Sequence, residues 1–396
     1  MTVRVMVGDA LEQLRELHDD SVHCVVTSPP YWGLRDYGNN IWIGGETDCQ
    51  HEAKVWNRAA RPAGDKSASN KGTRSLTERT CLHCGAEKQP CGVGLEPTLD
   101  EHLAALVGVF SEVRRVLRHD GTLWLNYGDA YAGGGRGFGS PHCKQRTNRG
   151  SLIKPGKVPG GLKPKDLMFM PARAAMALQE DGWWCRSEII WHKPNPMPES
   201  VTDRPTNAHE KVYLLTKAAR YFYDSEGVKQ PVKAGLNAFG TLRKGRDRFD
   251  NRATEVRTYE PTSVNLRNVW TIPTHGYSEA HFATFPPALV EPCIKAGTSA
   301  KGVCGKCGAP WQRKTSTTHE NPGNRTTNGD RSLAQRHETA GFSVRLEKRV
   351  ETTGWRPTCA HNAPVRPAVV LDCFAGAGTV GPVSYTHLTL PTKRIV

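Results

Sequence analysis

The sequence predicts an α/β fold built on a doubly wound, mostly parallel sheet. Short apolar runs that suit buried strands alternate with segments of helical periodicity, and this alternation is typical of parallel sheets with helices on both faces. The 396 residues are enough for one large α/β domain with insertions or for two domains.

The elements follow from local patterns. Asp9 offers an N-cap for a first helix, and the apolar side chains of 99–117 recur on one broad helical face. The stretches 40–95, 132–162 and 225–265 are polar or basic and break the pattern. Strands are predicted at 2–8, 22–27, 122–127, 186–192 and 211–216, and helices at 9–17, 99–117 and 166–178.

Composition limits the partners and the compartment. Lys and Arg number 53 against 39 Asp and Glu, a formal net charge of +14 that suits a polyanionic partner. Apolar runs fall short of the roughly 20 residues that span a bilayer, so no membrane partner is expected. Twelve cysteines without a signal-peptide pattern indicate a reducing compartment and favour metal binding over disulfides.

The first informative motif is Ser28-Pro29-Pro30-Tyr31, directly after the apolar run that ends at Thr27. Proline fixes φ and removes the backbone donor, so this segment forms a rigid loop that cannot continue a strand. A hydroxyl, a fixed carbonyl and an aromatic face then stand close together. That set suits a planar base with an exocyclic amine, whose N–H groups need acceptors and whose ring needs a stacking surface.

A second motif lies near the other end, where an apolar strand runs into Asp372-Cys373-Phe374-Ala375-Gly376-Ala377-Gly378-Thr379. Glycines without Cβ atoms let a ligand approach the backbone closely. Ser-Pro-Pro-Tyr resembles the catalytic motif of DNA methyltransferases that modify an exocyclic amine. The glycine-rich segment resembles the S-adenosylmethionine motif of the same family, with Cys373 in place of the usual proline.

The order of the motifs, catalytic loop first and cofactor loop last, resembles the β class of site-specific DNA amino-methyltransferases. The resemblance implies a methyltransferase fold, S-adenosyl-L-methionine as cofactor, and double-stranded DNA with a flipped-out base as substrate. A cognate restriction endonuclease is a further partner that it implies. The catalytic residues would be Ser28, Pro29, Pro30 and Tyr31, and the cofactor-binding residues Asp372, Phe374, Gly376, Gly378, Thr379, Phe282 and Phe285.

The resemblance also bears on the target base and its recognition. Serine at the first motif position favours cytosine N4, with adenine N6 as the alternative. Target recognition is expected in 225–265, where arginine suits both phosphate and guanine contacts. The DNA-binding candidates there are Arg243, Lys244, Arg246, Arg248 and Arg252.

Two near copies of a Cys-x-x-Cys-Gly knuckle each have a Cys-x-His partner, so two Cys₃His sets are predicted to bind structural zinc. The second knuckle precedes its partner, and the first follows it. His83 is a competing ligand in the first set. The two sets are Cys49, His51, Cys81 and Cys84, then Cys304, Cys307, Cys359 and His361.

We expect a cytoplasmic protein encoded by a prokaryote or a phage. The motifs divide the chain into the parts given at the end of this paragraph. The tail after Ser384 has no helical apolar stripe, so we expect it to be atypical and the C-terminal part of the sheet to be incomplete. A rival reading is a zinc-containing DNA-binding protein with an inactive methyltransferase core. The predicted parts are 1–40 and 95–225 (catalytic half), 41–94 (zinc insertion), 225–265 (recognition), 266–300 and 365–383 (cofactor half), 301–364 (second zinc insertion) and 384–396 (tail).

Overall fold

A computed structural model gives the fold of the chain. Among its helices, none is long and apolar enough to cross a membrane within the described residues. The structure describes residues 3–32, 40–46, 48–57, 75–90, 92–133, 162–199, 201–232, 240–243, 256–274, 285–320, 343–376 and 378–388.

The described residues form five α-helices, one 3-10 helix and eighteen strands. The helices are α1 Ala10–Arg15, α2 Leu99–Val116, α3 Met170–Glu180, α4 Pro287–Gly297 and α5 Val380–Leu388, with a 3-10 helix at Glu226–Val228. The strands are β1 Val22–Thr27, β2 Asn40–Ile43, β3 Ala53–Asn57, β4 Ser75–Cys81, β5 Glu87–Pro90, β6 Leu117–Tyr127, β7 Trp184–His192, β8 His209–Thr216, β9 Gln230–Pro231, β10 Gly240–Arg243, β11 Val256–Pro261, β12 Ser263–Val264, β13 Val269–Thr271, β14 Val303–Cys304, β15 Gln312–Glu320, β16 Ser343–Arg356, β17 Val365–Arg366 and β18 Val370–Leu371.

The central sheet has six strands in the order β13-β7-β8-β6-β1-β18. The pairs β13–β7, β6–β1 and β1–β18 are parallel, while β8 runs antiparallel to both β7 and β6. The sheet is therefore mixed with mostly parallel pairs, as the sequence predicts.

Helices cover both faces of this sheet. On one face Val25, Leu123 and Leu125 pack with α1, α2 and α3, and on the other Cys24 and Trp124 pack with α4 and α5. Neighbouring residues of β1 and β6 therefore point into two different cores. This explains why their sequences are continuous apolar runs rather than alternating ones.

Two capping features fix helix starts that the sequence indicates. The Asp9 side chain accepts hydrogen bonds from the amides of Leu11 and Glu12, so Asp9 caps α1 as predicted. At α2, Thr98 and Glu101 form a reciprocal capping box, which satisfies two of the amides that a helix start leaves unpaired.

Two further four-stranded sheets lie outside the central one. The first, in the order β2-β5-β4-β3, belongs to the predicted insertion 41–94. The second has the order β10-β11-β16-β15. It joins strands from the predicted recognition segment 225–265 to strands from the predicted insertion 301–364, with β11 and β16 paired in parallel.

The predicted first strand is wrong over the residues that the structure describes. Residues 3–7 form no strand, and Val3, Val5 and Val7 are 64, 80 and 89% exposed. A strand gains its stability from pairing and from burying one face, and these alternating valines bury none.

Helix α5 begins before the predicted tail and ends within it. Helix α5 extends to Leu388, and its residues Val380 and Val383 are buried in the core that contains α4. Proline at position 382 lies in the first turn, where a missing amide donor is tolerated. Residues 389–396 lie outside the described part of the chain.

Candidate active site and metal centres

The two predicted loops meet because their strands are neighbours. β1 and β18 pair in parallel, with Val25 opposite Leu371, so both loops leave the same edge of the sheet. The Thr27 hydroxyl donates a hydrogen bond of 2.6 Å to Oδ1 of Asp372. Residues 345 positions apart in the sequence are thus in direct contact.

The two carboxylate oxygens of Asp372 have different surroundings. Its Oδ1 also accepts from the amide of Phe374 at 3.1 Å, whereas Oδ2 is buried without a hydrogen bond from any described residue. Burial raises the pKa of Asp372, and the hydrogen bonds from Thr27 and Phe374 lower it by less, so that the resulting pKa is about 6. A buried acceptor of this kind suits a donor brought by a ligand.

The glycine-rich loop that follows this carboxylate has free space at its glycines. Gly376 and Gly378 have φ of +50° and +72°, a region that favours glycine. A Cβ at Gly378 would meet no atom of the described residues within 4 Å. The Phe374 ring lies 6.4 Å from that of Phe110 in α2. Burial raises the pKa of Cys373 to about 12, so this thiol stays neutral.

Tyr31 is fixed by three contacts. Its hydroxyl donates to Oε2 of Glu210 at 3.0 Å, and its ring meets that of Tyr127 edge-on with centroids 5.1 Å apart. A Cβ at Gly128 would lie only 2.6 Å from Cε2 of Tyr31. Burial, followed by the charge of Glu210, raises the pKa of Tyr31 well above its usual value, which keeps the phenol neutral.

Glu210 connects Tyr31 to two further side chains. Asn126 Nδ2 donates to Oε2 of Glu210 at 3.2 Å, and the Lys193 ammonium pairs with Oε1. No motif in the sequence singles out Asn126. The available signal was a polar residue near the end of an apolar strand, where β6 pairs with β8.

A second hydrogen-bonded group holds the residue that follows Tyr31 in place. The fully buried His102 uses both ring nitrogens, one with Oε2 of Glu96 at 2.8 Å and the other with the hydroxyl of Tyr127 at 2.7 Å. The indole of Trp32 donates to the Glu96 carbonyl at 2.9 Å. The segment that follows Tyr31 is therefore tied to α2 and β6.

Other predicted site residues differ in what the structure says of them. Pro29 is buried, while Ser28 and Pro30 are partly exposed. Thr379 and Phe285 are buried, and Phe285 packs in the core that contains α5. Phe282, Lys244, Arg246, Arg248 and Arg252 lie outside the described residues, as does the side chain of Arg243, whose backbone ends β10.

The first predicted metal set is assembled. The four ligand atoms lie within 4.8 Å of one another, with the Cys49 and Cys81 sulfurs 3.8 Å apart and the Cys84 sulfur 3.2 Å from Nδ1 of His51. Tetrahedral zinc with Zn–S bonds of about 2.3 Å needs sulfurs about 3.8 Å apart. His83, the competing ligand, instead faces Glu52 at 3.6 Å.

The second set is assembled in the same way. The ligand atoms of Cys304, Cys307, Cys359 and His361 also lie within 4.8 Å of one another. Backbone amides of Cys307 and Lys306 lower the pKa of Cys304 to about 6. In the first set, burial tends to raise the pKa of Cys81, but hydrogen bonds from the amides of Cys84 and His83 outweigh it and lower this pKa to about 5. Thiolates prepared in this way are the form that binds metal.

Comparison with known proteins gives close sequence relatives. The chain is 41% identical over 291 residues to type II methyltransferase M.XycI of Xanthomonas campestris pv. cyanopsidis, covering 74% of this chain and 71% of that protein. It is 37% identical over 299 residues to type II methyltransferase M.SmaI of Serratia marcescens, covering 76% of each. Among solved structures, the cytosine-N4-specific PvuII DNA methyltransferase matches with a TM-score of 0.40 at 15% identity, over 74% of this chain and 70% of that one.

A family model also matches most of the chain. It is the model described as DNA methylase, for N6 and N4 methyltransferases, and it matches residues 22–304. The match begins with β1 and includes the Ser28–Tyr31 loop and the Glu210 network. This chain belongs to the DNA methylase family of N6 and N4 amino-methyltransferases.

Proposed function

We propose that this protein transfers a methyl group from S-adenosyl-L-methionine to the exocyclic amine of a flipped-out base in double-stranded DNA. The observation that carries the proposal is the Thr27–Asp372 hydrogen bond, because it joins the loop suited to the base and the loop suited to the cofactor. The type II relatives support a site-specific enzyme, with a cognate restriction endonuclease as the expected companion.

Ser28, the Pro29 carbonyl and Tyr31 would act on the base. Its amine is a poor nucleophile because the nitrogen lone pair is delocalised into the ring. Hydrogen bonds from the amine to the Ser28 hydroxyl and the Pro29 carbonyl would localise that lone pair, and Pro30 would keep the loop rigid. The Tyr31 ring would supply the stacking surface once the base has left the duplex.

The glycine-rich loop would hold the cofactor, which supplies an electrophilic methyl group. The Oδ2 of Asp372, which no described residue hydrogen-bonds, fits a cationic amine, and the open backbone at Gly376 and Gly378 admits a ligand at close range. Phe374 and Thr379 flank the same loop. Phe285, and Phe282 outside the described residues, would pack toward the cofactor half.

For the target base we propose cytosine N4, with adenine N6 as the alternative. Serine at position 28 supports cytosine, although the Ser28 hydroxyl and the Pro29 carbonyl can accept from either amine. Nucleoside analysis of methylated DNA separates the two products by mass.

The segment 225–265, with Arg243 and the basic residues that follow it, would recognise the target sequence. Support comes from the sheet β10-β11-β16-β15, in which this segment pairs with the long hairpin of β15 and β16. The major groove admits a two-stranded β-ribbon, and the net charge of +14 favours a polyanion.

Both Cys₃His sets would bind structural zinc. Each set offers four protein ligands, so the metal would have no open position for substrate. Metal analysis of purified protein tests this directly, with an expected ratio of two zinc ions per chain. A Cys84→Ser variant should lose about one of them.

The decisive experiment measures transfer of labelled methyl groups from S-adenosyl-L-methionine to unmethylated duplex DNA. Ser28→Ala should reduce the rate at least about 100-fold while leaving cofactor binding intact, because it removes one acceptor of the reacting amine. If the chain binds DNA and zinc but transfers no methyl group, the rival function of a DNA-binding protein with an inactive core replaces this one.

A further inference from the structure

We propose that metal bound at the second Cys₃His set holds β18, the strand that leads into the glycine-rich loop, in place beside β1. The inference rests on the proposed zinc binding and deepens it, because it gives the second metal site a role in shaping the cofactor site. Three independent connections join the knuckle at 304–308 to these strands.

The first connection is the chain itself. Cys304 belongs to β14, which pairs with β17, so that Cys304 lies opposite Val365 and Val303 opposite Arg366. Ligand His361 precedes β17 by only a few residues, and β18 follows β17 after a short connection. Only short chain segments therefore separate the ligands from β18, the strand that precedes Asp372.

The second connection is His23 in β1, which is buried. The backbone amide of Val369 donates to its Nδ1 at 3.0 Å, and its Nε2 lies 3.0 Å from the Gly308 carbonyl. Since Nδ1 is the acceptor, Nε2 carries the proton and donates to the knuckle. One imidazole therefore joins the knuckle to the residue directly before β18.

The third connection is Arg118 in β6. Its guanidinium donates to the Cys307 carbonyl at 2.8 Å and is held in position by Asp120 at 2.9 Å. The packing is close, since a Cβ at Gly308 would lie 2.8 Å from Nη1 of Arg118 and 3.3 Å from Nε2 of His23. Gly308 has φ of +72°, which favours glycine.

β18 needs such support. It contains two residues and ends the sheet order, paired with β1. Four metal–ligand bonds would fix the turn whose carbonyls receive His23 and Arg118. Without the metal the turn at 304–308 would no longer be held in one conformation. His23 and Arg118 would then lose the fixed positions of the Gly308 and Cys307 carbonyls that accept their hydrogen bonds. The first set provides a contrast, because its knuckle bonds within its own small sheet, from Leu82 to the Glu52 carbonyl.

Hydrogen exchange on the full chain tests the inference without needing cofactor or activity. The probe is a peptide covering 366–376, with a β8 peptide, 209–216, as internal reference. In Cys307→Ser, exchange at 369–371 should accelerate at least about tenfold, since strand opening becomes easier. In the matched control Cys81→Ser, which disrupts the first set, exchange at 369–371 should equal that of the wild type.

If Cys307→Ser unfolds, the β8 peptide will also exchange faster and that variant will not be informative. The variant His23→Leu then provides a second test. This variant should retain two zinc ions and accelerate exchange at 370–371, beyond the Val369 amide, which loses its own acceptor His23 in the variant. Unchanged exchange in His23→Leu, or in Cys307→Ser that has lost one zinc ion, would overturn the inference while zinc binding stands. A wild-type chain without zinc would overturn both proposals.

Discussion

The hydroxyl of Tyr31 donates a hydrogen bond of 3.0 Å to Glu210, which Lys193 and Asn126 hold from other directions. The partners come from different elements: β8 carries Glu210, β6 carries Asn126, and Lys193 follows β7. The ring that would stack on the target base is therefore oriented by the central sheet before any base arrives.

Glu210→Gln should lower the rate of methyl transfer about tenfold, a cost of about 1.4 kcal/mol in activation free energy. The amide lacks the charge that pairs with Lys193 and can present a donor where Tyr31 needs an acceptor. Single-turnover rates measure the effect, and cofactor affinity should not change.

A matched control for this variant is Glu188→Gln. Glu188 also accepts from a tyrosine hydroxyl, that of Tyr213 at 3.0 Å, and pairs with Lys211. It contacts none of the proposed catalytic residues, so methyl transfer should remain at the wild-type rate. Equal losses in the two variants would assign the effect of Glu210 to general stability.

Gly128→Ala should misplace Tyr31. The new Cβ would lie 2.6 Å from the tyrosine ring, a distance that forces the ring or the backbone to move and costs about 1–3 kcal/mol in stability. Methyl transfer should fall more than the unfolding free energy alone explains. The control Gly108→Ala adds a Cβ in open space on α2 and should stabilise the protein by about 0.5–1 kcal/mol. A fully active Gly128→Ala enzyme would contradict the assigned role of Tyr31.

The elements that the sequence predicts well are those whose local pattern and tertiary role agree. The run 22–27 is apolar throughout and becomes β1, buried on both faces, and the apolar stripe of 99–117 becomes α2. Both Cys₃His sets were predictable because spacing alone brings the paired ligands of each half close together. Such features depend on few distant contacts.

The features that the sequence does not predict depend on residues that are distant in the chain. Residues 3–7 alternate like a strand but lack the burial that would make them one, and helix α5 is stabilised by Val380 and Val383 in the core that contains α4. The contact between Tyr31 and Glu210 requires the order of β1, β6 and β8 in the sheet. No local pattern encodes that order, so the network became visible only in the structure.

Asp372→Asn should raise stability at neutral pH while weakening cofactor binding. The pKa of Asp372 is about 6 when folded against about 4 when unfolded, so the folded state holds the extra proton between these values. Its stability therefore falls as pH rises from about 4 to 6, by at most about 3 kcal/mol. Asparagine has no such dependence and can still accept from Thr27.

Urea unfolding at pH 5 and pH 8 checks this prediction. The stability gain of Asp372→Asn should be larger at pH 8 than at pH 5, and calorimetry should show weaker binding of S-adenosyl-L-methionine because the buried carboxylate is gone. A variant that is less stable than the wild type at pH 8 would show that the charge of Asp372 is already compensated.

Arg313→Met should destabilise the junction between the β15–β16 hairpin and the central core. Arg313 makes two-pronged contacts of 2.6–3.1 Å with Asp224, whose side chain is only 4% exposed. Removing the cation leaves a buried carboxylate with the Gly227 amide as its remaining contact among the described residues, which should cost about 3 kcal/mol in unfolding free energy.

Urea unfolding also measures this loss, and two variants show its origin. Arg356→Met removes a guanidinium from the same hairpin, but its acceptor Gln312 is exposed, so the change should stay within about 0.5 kcal/mol. Adding Asp224→Asn to Arg313→Met should recover part of the loss, because the buried group is then neutral. If the double variant is no more stable than Arg313→Met, the lost stability comes from the stacking of Arg313 on Trp355 rather than from the unpaired charge.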